Sequence, residues 1–304
     1  MQTAKQQKTA YIAIVGKPNV GKSSILNRLI GQKVAIVSHK PQTTRTRIMG
    51  VLTEDEYQLV FIDTPGLVKP KNPLGDYMVK SVTHSVSGVD ACLLVTEAGK
   101  PVSKADLDLV ARFTAQKIPA VLAINKIDLL QDKSAMMEQI DRFSKLYTFT
   151  SIVPVSAKDG NGLPLLMDEL KALAEEGPHL FPDDTLTDQP ERVIASEIVR
   201  EKLLRLLDKE IPHGTAAVTE RMQERGELLD IEITIYTERE NHKGIIIGKK
   251  GAMLKKIGSA AREDMERFFG CKVNLQLWVK VKEDWRERRG TLNSLGYNDQ
   301  DFKL

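Results

Sequence analysis

The sequence predicts an α/β chain in which a doubly wound sheet domain is followed by a smaller α+β domain. Three observations carry this. The chain has 304 residues, enough for two hydrophobic cores. Its first half alternates short apolar runs with helix-period segments, the pattern of buried parallel strands covered by helices. Gly177, Pro178, Pro182 and Pro190, set among acids, then break both periods, and the order of elements changes beyond them.

Taken in order, residues 1–9 read as a flexible tail and 10–176 as the first domain. Apolar runs of strand length predict strands at Tyr11–Val15, Thr46–Leu52, Tyr57–Asp63, Ala91–Val95, Ala120–Asn125 and Ile152–Val155. Helices are expected at Ser23–Ile30, Ala105–Gln116, Ser134–Tyr147 and Leu163–Glu175. Only Thr53-Glu-Asp-Glu56 separates the second and third strands, so this pair reads as an antiparallel hairpin at one sheet edge. Residues 177–190 are expected to be a linker. The second domain, 191–304, reads as helix (Arg192–Glu210), two strands (Ala216–Gln223, Leu228–Thr237), helix (Met253–Phe269) and strand (Lys272–Val281), with a glycine-bearing segment at Lys243–Gly251.

Composition excludes more than it selects. With 41% apolar and 28% charged residues this is an ordinary folded chain, and no apolar run approaches the roughly 18–20 residues that span a bilayer. The N-terminal residues lack the long apolar stretch of a secretory signal, so a cytoplasmic location is expected. Cys92 and Cys271 stand far apart and read as small buried hydrophobes rather than a metal site. A net charge of +3 decides nothing about partners, but its distribution is informative, because basic residues accumulate after Gly251.

Gly16-Lys17-Pro18-Asn19-Val20-Gly21-Lys22-Ser23 has the phosphate-loop pattern, two glycines separated by four residues and followed by Lys-Ser, with Ser24 continuing into the predicted helix. The glycines let backbone wrap phosphate oxygens, and the helix start presents unpaired amides. Lys22 can reach the outer phosphates, and the Ser23 hydroxyl can ligate magnesium. Asp63-Thr-Pro-Gly66 ends a strand, where the acid can hold magnesium through water and the Gly66 amide can sense the terminal phosphate. In Asn125-Lys126-Ile-Asp128, the carboxylate can accept two hydrogen bonds from guanine that adenine does not offer. The Lys126 stem can lie on the base, and Asn125 can brace the loop. Ser156-Ala157-Lys158 follows the last strand, with the Ala157 amide expected to meet the guanine oxygen.

Together these motifs resemble the translation-factor-like class of small GTPases, which implies GTP and GDP as ligands and Lys22, Thr44 and Gly66 at the reacting phosphate. The resemblance also implies a segment carrying a magnesium-binding threonine. Thr43 and Thr44 in Gln42-Thr-Thr-Arg45 are the candidates, with Thr44 preferred. Leu67 stands where many GTPases carry the glutamine that orients water. Asn19 resembles the asparagine that helps hold potassium in some GTPases; its plainer reading is a turn residue.

In the second domain, Gly244-Ile245-Ile246-Ile247-Gly248-Lys249-Lys250-Gly251 resembles the KH signature loop, which clamps about four nucleotides of single-stranded backbone. Lys249, Lys250 and Lys255 are expected to meet phosphates, and the three isoleucines to serve partly as core and partly as a floor under bases. Phe268, Phe269 and Trp278 have spacing that suits core, whereas Trp285 could stack on a base.

One phosphate-loop GTPase domain followed by one type II KH domain resembles the bacterial Era family, from Tyr11 to about Arg289. That resemblance implies a switch that binds the 3′ end of 16S ribosomal RNA, assists maturation of the 30S subunit and touches the inner face of the cell membrane peripherally. GTP and magnesium would order Lys33–Thr44 and Gly66–Lys71 and expose the KH groove. A monomer is expected. Two other readings stand beside it, an RNA-binding scaffold whose nucleotide site is regulatory only and a GTPase acting in tRNA modification. The first is opposed by the presence of Lys22, Ser23, Asp63 and Asp128, and the second by the lack of a reactive C-terminal cysteine.

Overall fold

The computed structural model describes residues 6–66, 72–86, 88–132 and 134–298. The apolar runs of the first half become β1 (Lys8–Val15), β2 (Ile48–Glu54), β3 (Tyr57–Asp63), β4 (Ala91–Glu97), β5 (Ala120–Asn125) and β6 (Ser151–Pro154). They lie in the order β2-β3-β1-β4-β5-β6, parallel except for the β2–β3 hairpin at the edge. A two-residue strand, β7 (Glu175–Glu176), pairs antiparallel with β1. The helices are α1 (Lys22–Ile30), α2 (Pro73–Val86), α3 (Lys104–Gln116), α4 (Ser134–Ser144) and α5 (Leu163–Lys171). Because successive strand residues point to opposite faces, Ile12 and Ile14 enter one core with Leu26 and Leu166, while Ala13 and Val15 enter the other with Leu109 and Phe143. That division makes the sheet doubly wound, with the loops at the carboxyl ends of its parallel strands left to carry chemistry.

α2 has no counterpart in the sequence reading. Its glycine, serines and threonine dilute the helical signal, and the Asn72 side-chain oxygen Oδ1 accepts the Gly75 amide at 2.9 Å to start it. The stretch expected as a linker is also different from a free tether. Gly177 N–H donates to the Gln7 carbonyl, and Val51 N–H to the Leu186 carbonyl. The buried Gln58 amide accepts from the Leu180 and Phe181 amides and donates to the Phe181 carbonyl. Residues of Met1–Ala35, Thr44–Lys69 and Met78–Asp188 that are described form one compact unit, and those of Ile36–Thr43, Pro70–Tyr77 and Gln189–Leu304 a second. The Leu67–Lys71 part of the expected switch lies outside the described residues.

The second unit contains α6 (Glu191–Leu206), β8 (Thr215–Arg225), β9 (Leu228–Thr237), α7 (Glu240–Ile247), α8 (Ala252–Phe269), β10 (Lys272–Val281) and α9 (Arg289–Ser294). Its sheet runs β10-β9-β8, with β10 parallel and β8 antiparallel to β9. Ile231, Ile233 and Ile235 on one face of β9 pack with Ile198 and Val199 of α6 and with Ile257, Ala261 and Met265 of α8. The two tryptophans exchange the places expected of them. Trp285 is fully buried, its indole N–H bonded to the Gly214 carbonyl at 3.0 Å and its ring stacked on Tyr297, so it cannot meet a base. Trp278 is 56% exposed, because even-numbered β10 residues face away from the helices.

Segment Ile36–Thr43 belongs to the second unit through α6. The Val37 amide donates to the Glu201 carboxylate at 2.9 Å, Arg205 donates to the Val37 carbonyl, and Arg200 donates to the Thr43 carbonyl. Arg200 and Glu201 are both buried, with Glu197 and Lys202 as ion-pair partners.

Candidate functional site

The phosphate loop leaves β1 and enters α1 where the parallel strands end. Its two glycines are required for steric reasons. Gly16 has φ +144, and an added Cβ would stand 2.3 Å from the Val95 carbonyl oxygen; Gly21 has φ +102, with its Cβ position 2.2 Å from Asn125 Nδ2. Gly21 caps α1 without a side-chain hydrogen bond, which keeps the first-turn amides available to an anion. Lys22 is buried, and its ammonium donates to the carbonyls of Gly16 at 3.1 Å and Lys17 at 3.0 Å. Burial brings its pKa down to about 8, against the opposing pull of Asp63. Elsewhere in the loop, Asn19 takes a left-handed backbone at φ 64, Lys17 pairs with buried Asp106 at 3.5 Å, and Ser24 sits half-buried on α1.

Three oxygens from separate segments meet beside Lys22. Ser23 Oγ donates to Asp63 Oδ2 at 2.5 Å and lies 2.9 Å from Thr44 Oγ1, which is itself 3.4 Å from Asp63 Oδ2. Thr43 is turned elsewhere, its hydroxyl donating to the Lys40 carbonyl at 2.7 Å. Asp63 is buried, and its Oδ1 has no hydrogen-bond partner. Desolvation raises its pKa, while Lys22 and the two hydroxyls work in the other direction. A buried carboxylate with an unmatched oxygen beside two hydroxyls fits a hard cation such as magnesium, which takes oxygen ligands. Gly66 closes this end, since a Cβ there would lie 2.6 Å from the Pro18 backbone.

At the other end, Asn125 ties two loops together. Its Nδ2 donates to the Val20 carbonyl at 2.8 Å, and its Oδ1 accepts the Ala157 amide at 3.0 Å. The amide expected to face guanine is therefore directed to Asn125. Ser156 donates to Asp128 at 2.8 Å, which sets the carboxylate's orientation, and Lys158 stands 3.9 Å from its other oxygen. Lys126, with φ 69, meets Glu97 at 2.7 Å. Two residues that the motifs do not point to thus support the loops. Arg28 of α1 donates to the carbonyls of Ala157 (2.9 Å) and Lys158 (2.5 Å), and Glu97 ends β4 beside Lys126. Only their places, on α1 and at a strand's carboxyl end, could have drawn attention to them.

In the second unit, α7 ends at Gly248, and Lys249–Gly251 make a single tight turn with Lys250 at φ 52 before α8 begins. A side chain at Gly248, whose φ is +72, would collide with Met253. The turn leaves Lys249 and Lys250 exposed, as are Gly244 and Lys255. Ile246 is buried in the core, Ile245 is 48% exposed and Ile247 is intermediate. A groove between α8 and β10 continues from this turn, lined by Gly251, Leu254, Lys255, Arg262, Leu275 and Leu277.

Fold and loops together define a phosphate-loop GTPase joined to a KH domain. A family model described as a 50S ribosome-binding GTPase matches residues 11–126, and a KH domain model matches residues 210–286. GTPase Era of Clostridioides difficile (strain 630) is 46% identical over 295 residues, covering 96% of this chain and 99% of that protein. GTPase Era of Ruminiclostridium cellulolyticum is 47% identical over 291 residues, covering 95% and 97%. A crystal structure of an Aquifex aeolicus Era variant bound to GDP·AlF4− superimposes with a TM-score of 0.92 at 40% identity, covering 96% of this chain and 99% of that one. A crystal structure of Era in complex with MgGDPNP and nucleotides 1506–1542 of 16S ribosomal RNA gives 0.91 at 40% identity, with the same coverage. The chain belongs to the Era family of GTPases.

Proposed function

We propose that this GTPase is a switch that holds the 3′ end of 16S ribosomal RNA through its KH loop and assists maturation of the 30S subunit. The observation that carries this reading is one chain holding both a full set of guanine-nucleotide loops and a Gly-Lys-Lys-Gly turn with its lysines exposed at the start of α8. Likeness to an Era structure that contains those RNA nucleotides supports it. Lys22 and the first-turn amides of α1 would bind the outer phosphates, the Gly66 amide would contact the last of them, and Asp128 would accept from the guanine ring. Ser23, Thr44 and Asp63 would hold magnesium, which when bound neutralises charge on the phosphates. With no glutamine after Gly66 in the sequence, Asn19 would help hold potassium near the phosphates. Equal single-turnover rates in sodium and potassium would remove that role.

Switching is supported by the membership of segment 36–43 in the second unit, next in sequence to Thr44. A nucleotide that orders Thr44 would pull on a segment held by α6. In a filter-binding titration with a 3′-terminal 16S oligonucleotide, affinity should be at least about 5-fold higher with a non-hydrolysable GTP analogue than with GDP. Identical affinities would defeat the switch. The same reading gives a cytoplasmic monomer with peripheral contact to the inner membrane face.

A further inference from the structure

We infer that Glu97 is a positioning residue for guanine binding, its carboxylate holding the Lys126 ammonium so that the lysine stem forms a ready wall of the base site. The inference rests on reading Asn125–Asp128 as the base loop. β4 and β5 run in parallel register with Glu97 opposite Asn125, which brings a carboxylate from one strand end to the loop that leaves the next. Glu97 Oε2 lies 2.7 Å from Lys126 Nζ, and both side chains keep partial exposure, 25% and 30%. The glutamate's backbone is itself fixed. Its carbonyl accepts the Gln139 side-chain amide at 3.1 Å, and Gln139, buried on α4, accepts the Gly99 amide at 2.9 Å. The Ala98 amide donates to the Asn125 carbonyl at 2.8 Å, locking the two strand ends together. Lys126 starts its turn with a left-handed backbone, so its direction is set at the Cα end by the chain and at the Nζ end by Glu97.

A lysine stem free in water loses side-chain entropy when it lies against a base, whereas one held at both ends has already lost it. Removing the carboxylate should therefore weaken binding of any purine nucleotide that uses the stem, without changing how the ring edge is read.

The test is titration of GDP and of inosine diphosphate, which lacks the exocyclic amine, into the full chain and its Glu97→Ala, Lys126→Ala, Asp128→Asn and double Glu97→Ala/Lys126→Ala variants. Glu97→Ala should raise Kd for both nucleotides by the same factor, about 5- to 10-fold, and leave their ratio as in the parent. The double variant should bind no more weakly than Lys126→Ala alone, because Glu97 acts only through that lysine. A Lys126→Ala variant that weakens binding beside a Glu97→Ala variant that does not would overturn the inference. A changed GDP to inosine diphosphate ratio in Glu97→Ala would also overturn it, because the residue would then be building the whole loop. If neither Lys126→Ala nor Asp128→Asn alters GDP affinity, the base-loop reading itself is what fails.

Discussion

Gly21 lies so close to the Asn125 side chain that it tolerates no growth. A methyl at Gly21 would meet the Asn125 amide nitrogen at 2.2 Å in a backbone with φ +102. Such local strain is of order 1–3 kcal/mol, so Gly21→Ala should weaken GDP binding by roughly 10-fold in a fluorescent-nucleotide titration. Lys22 gives a second prediction, in pH. Its pKa in the fold is lowered to about 8 from its ordinary 10.5, because burial disfavours the charged form. Between those values the unfolded chain binds the proton that the fold has lost. The nucleotide-free protein therefore gains stability from this group as pH rises through that window, and carries the full burial cost below it. A phosphate beside Lys22 favours the charged form again, so GDP binding above pH about 8 should take up a proton and weaken as pH rises. Calorimetry in buffers of different ionisation enthalpy reads that proton directly. At this scale, residues with a fixed spacing were legible in the chain, as with Lys22 beside Ser23. Glu97 and Arg28 were not, because their partners lie 29 and 129 residues away and meet only through strand register and helix placement.

Among the elements, α7 divides three consecutive isoleucines between core and solvent. Ile246→Ala should cost about 2–5 kcal/mol in urea denaturation, whereas Ile245→Ala should leave stability nearly unchanged and lower RNA affinity. Trp285→Ala should likewise cost about 3–5 kcal/mol and Trp278→Ala far less, the reverse of what their spacing suggests. Sequence alone could not assign α7, since a run of β-branched residues favours a strand, and the helix is fixed by packing Ile246 under α8. α6 is a parallel case. Arg200, Glu201 and Lys202 look like a charged surface stretch, yet all three are buried, and Glu201 pairs with both Lys202 and Arg205. Glu201→Ala removes one of the two carboxylates beside buried Lys202, which keeps Asp264, and takes the acceptor from the Val37 amide, with an expected loss of about 1–3 kcal/mol in the same denaturation series.

For the whole molecule, any coupling between nucleotide and RNA must run in both directions. If a GTP analogue tightens RNA binding, saturating RNA should tighten the analogue by the same factor, and paired titrations check this without any assumption about pathway. Arg200→Ala, which frees the Thr43 carbonyl, should reduce that factor toward one while leaving RNA affinity in GDP unchanged. The chain by itself determined the sheet order at the hairpin edge, the four nucleotide loops and the KH turn. These are local signals, written as strand-length apolar runs and as glycines and ligating side chains at fixed spacing. Only the tertiary structure decided that Thr44 rather than Thr43 joins Ser23 and Asp63, that residues 177–188 pack onto the first unit, and that segment 36–43 is held by α6. Each of those outcomes depends on which distant backbone groups become buried and must find partners, a requirement that exists only once the chain has closed on itself.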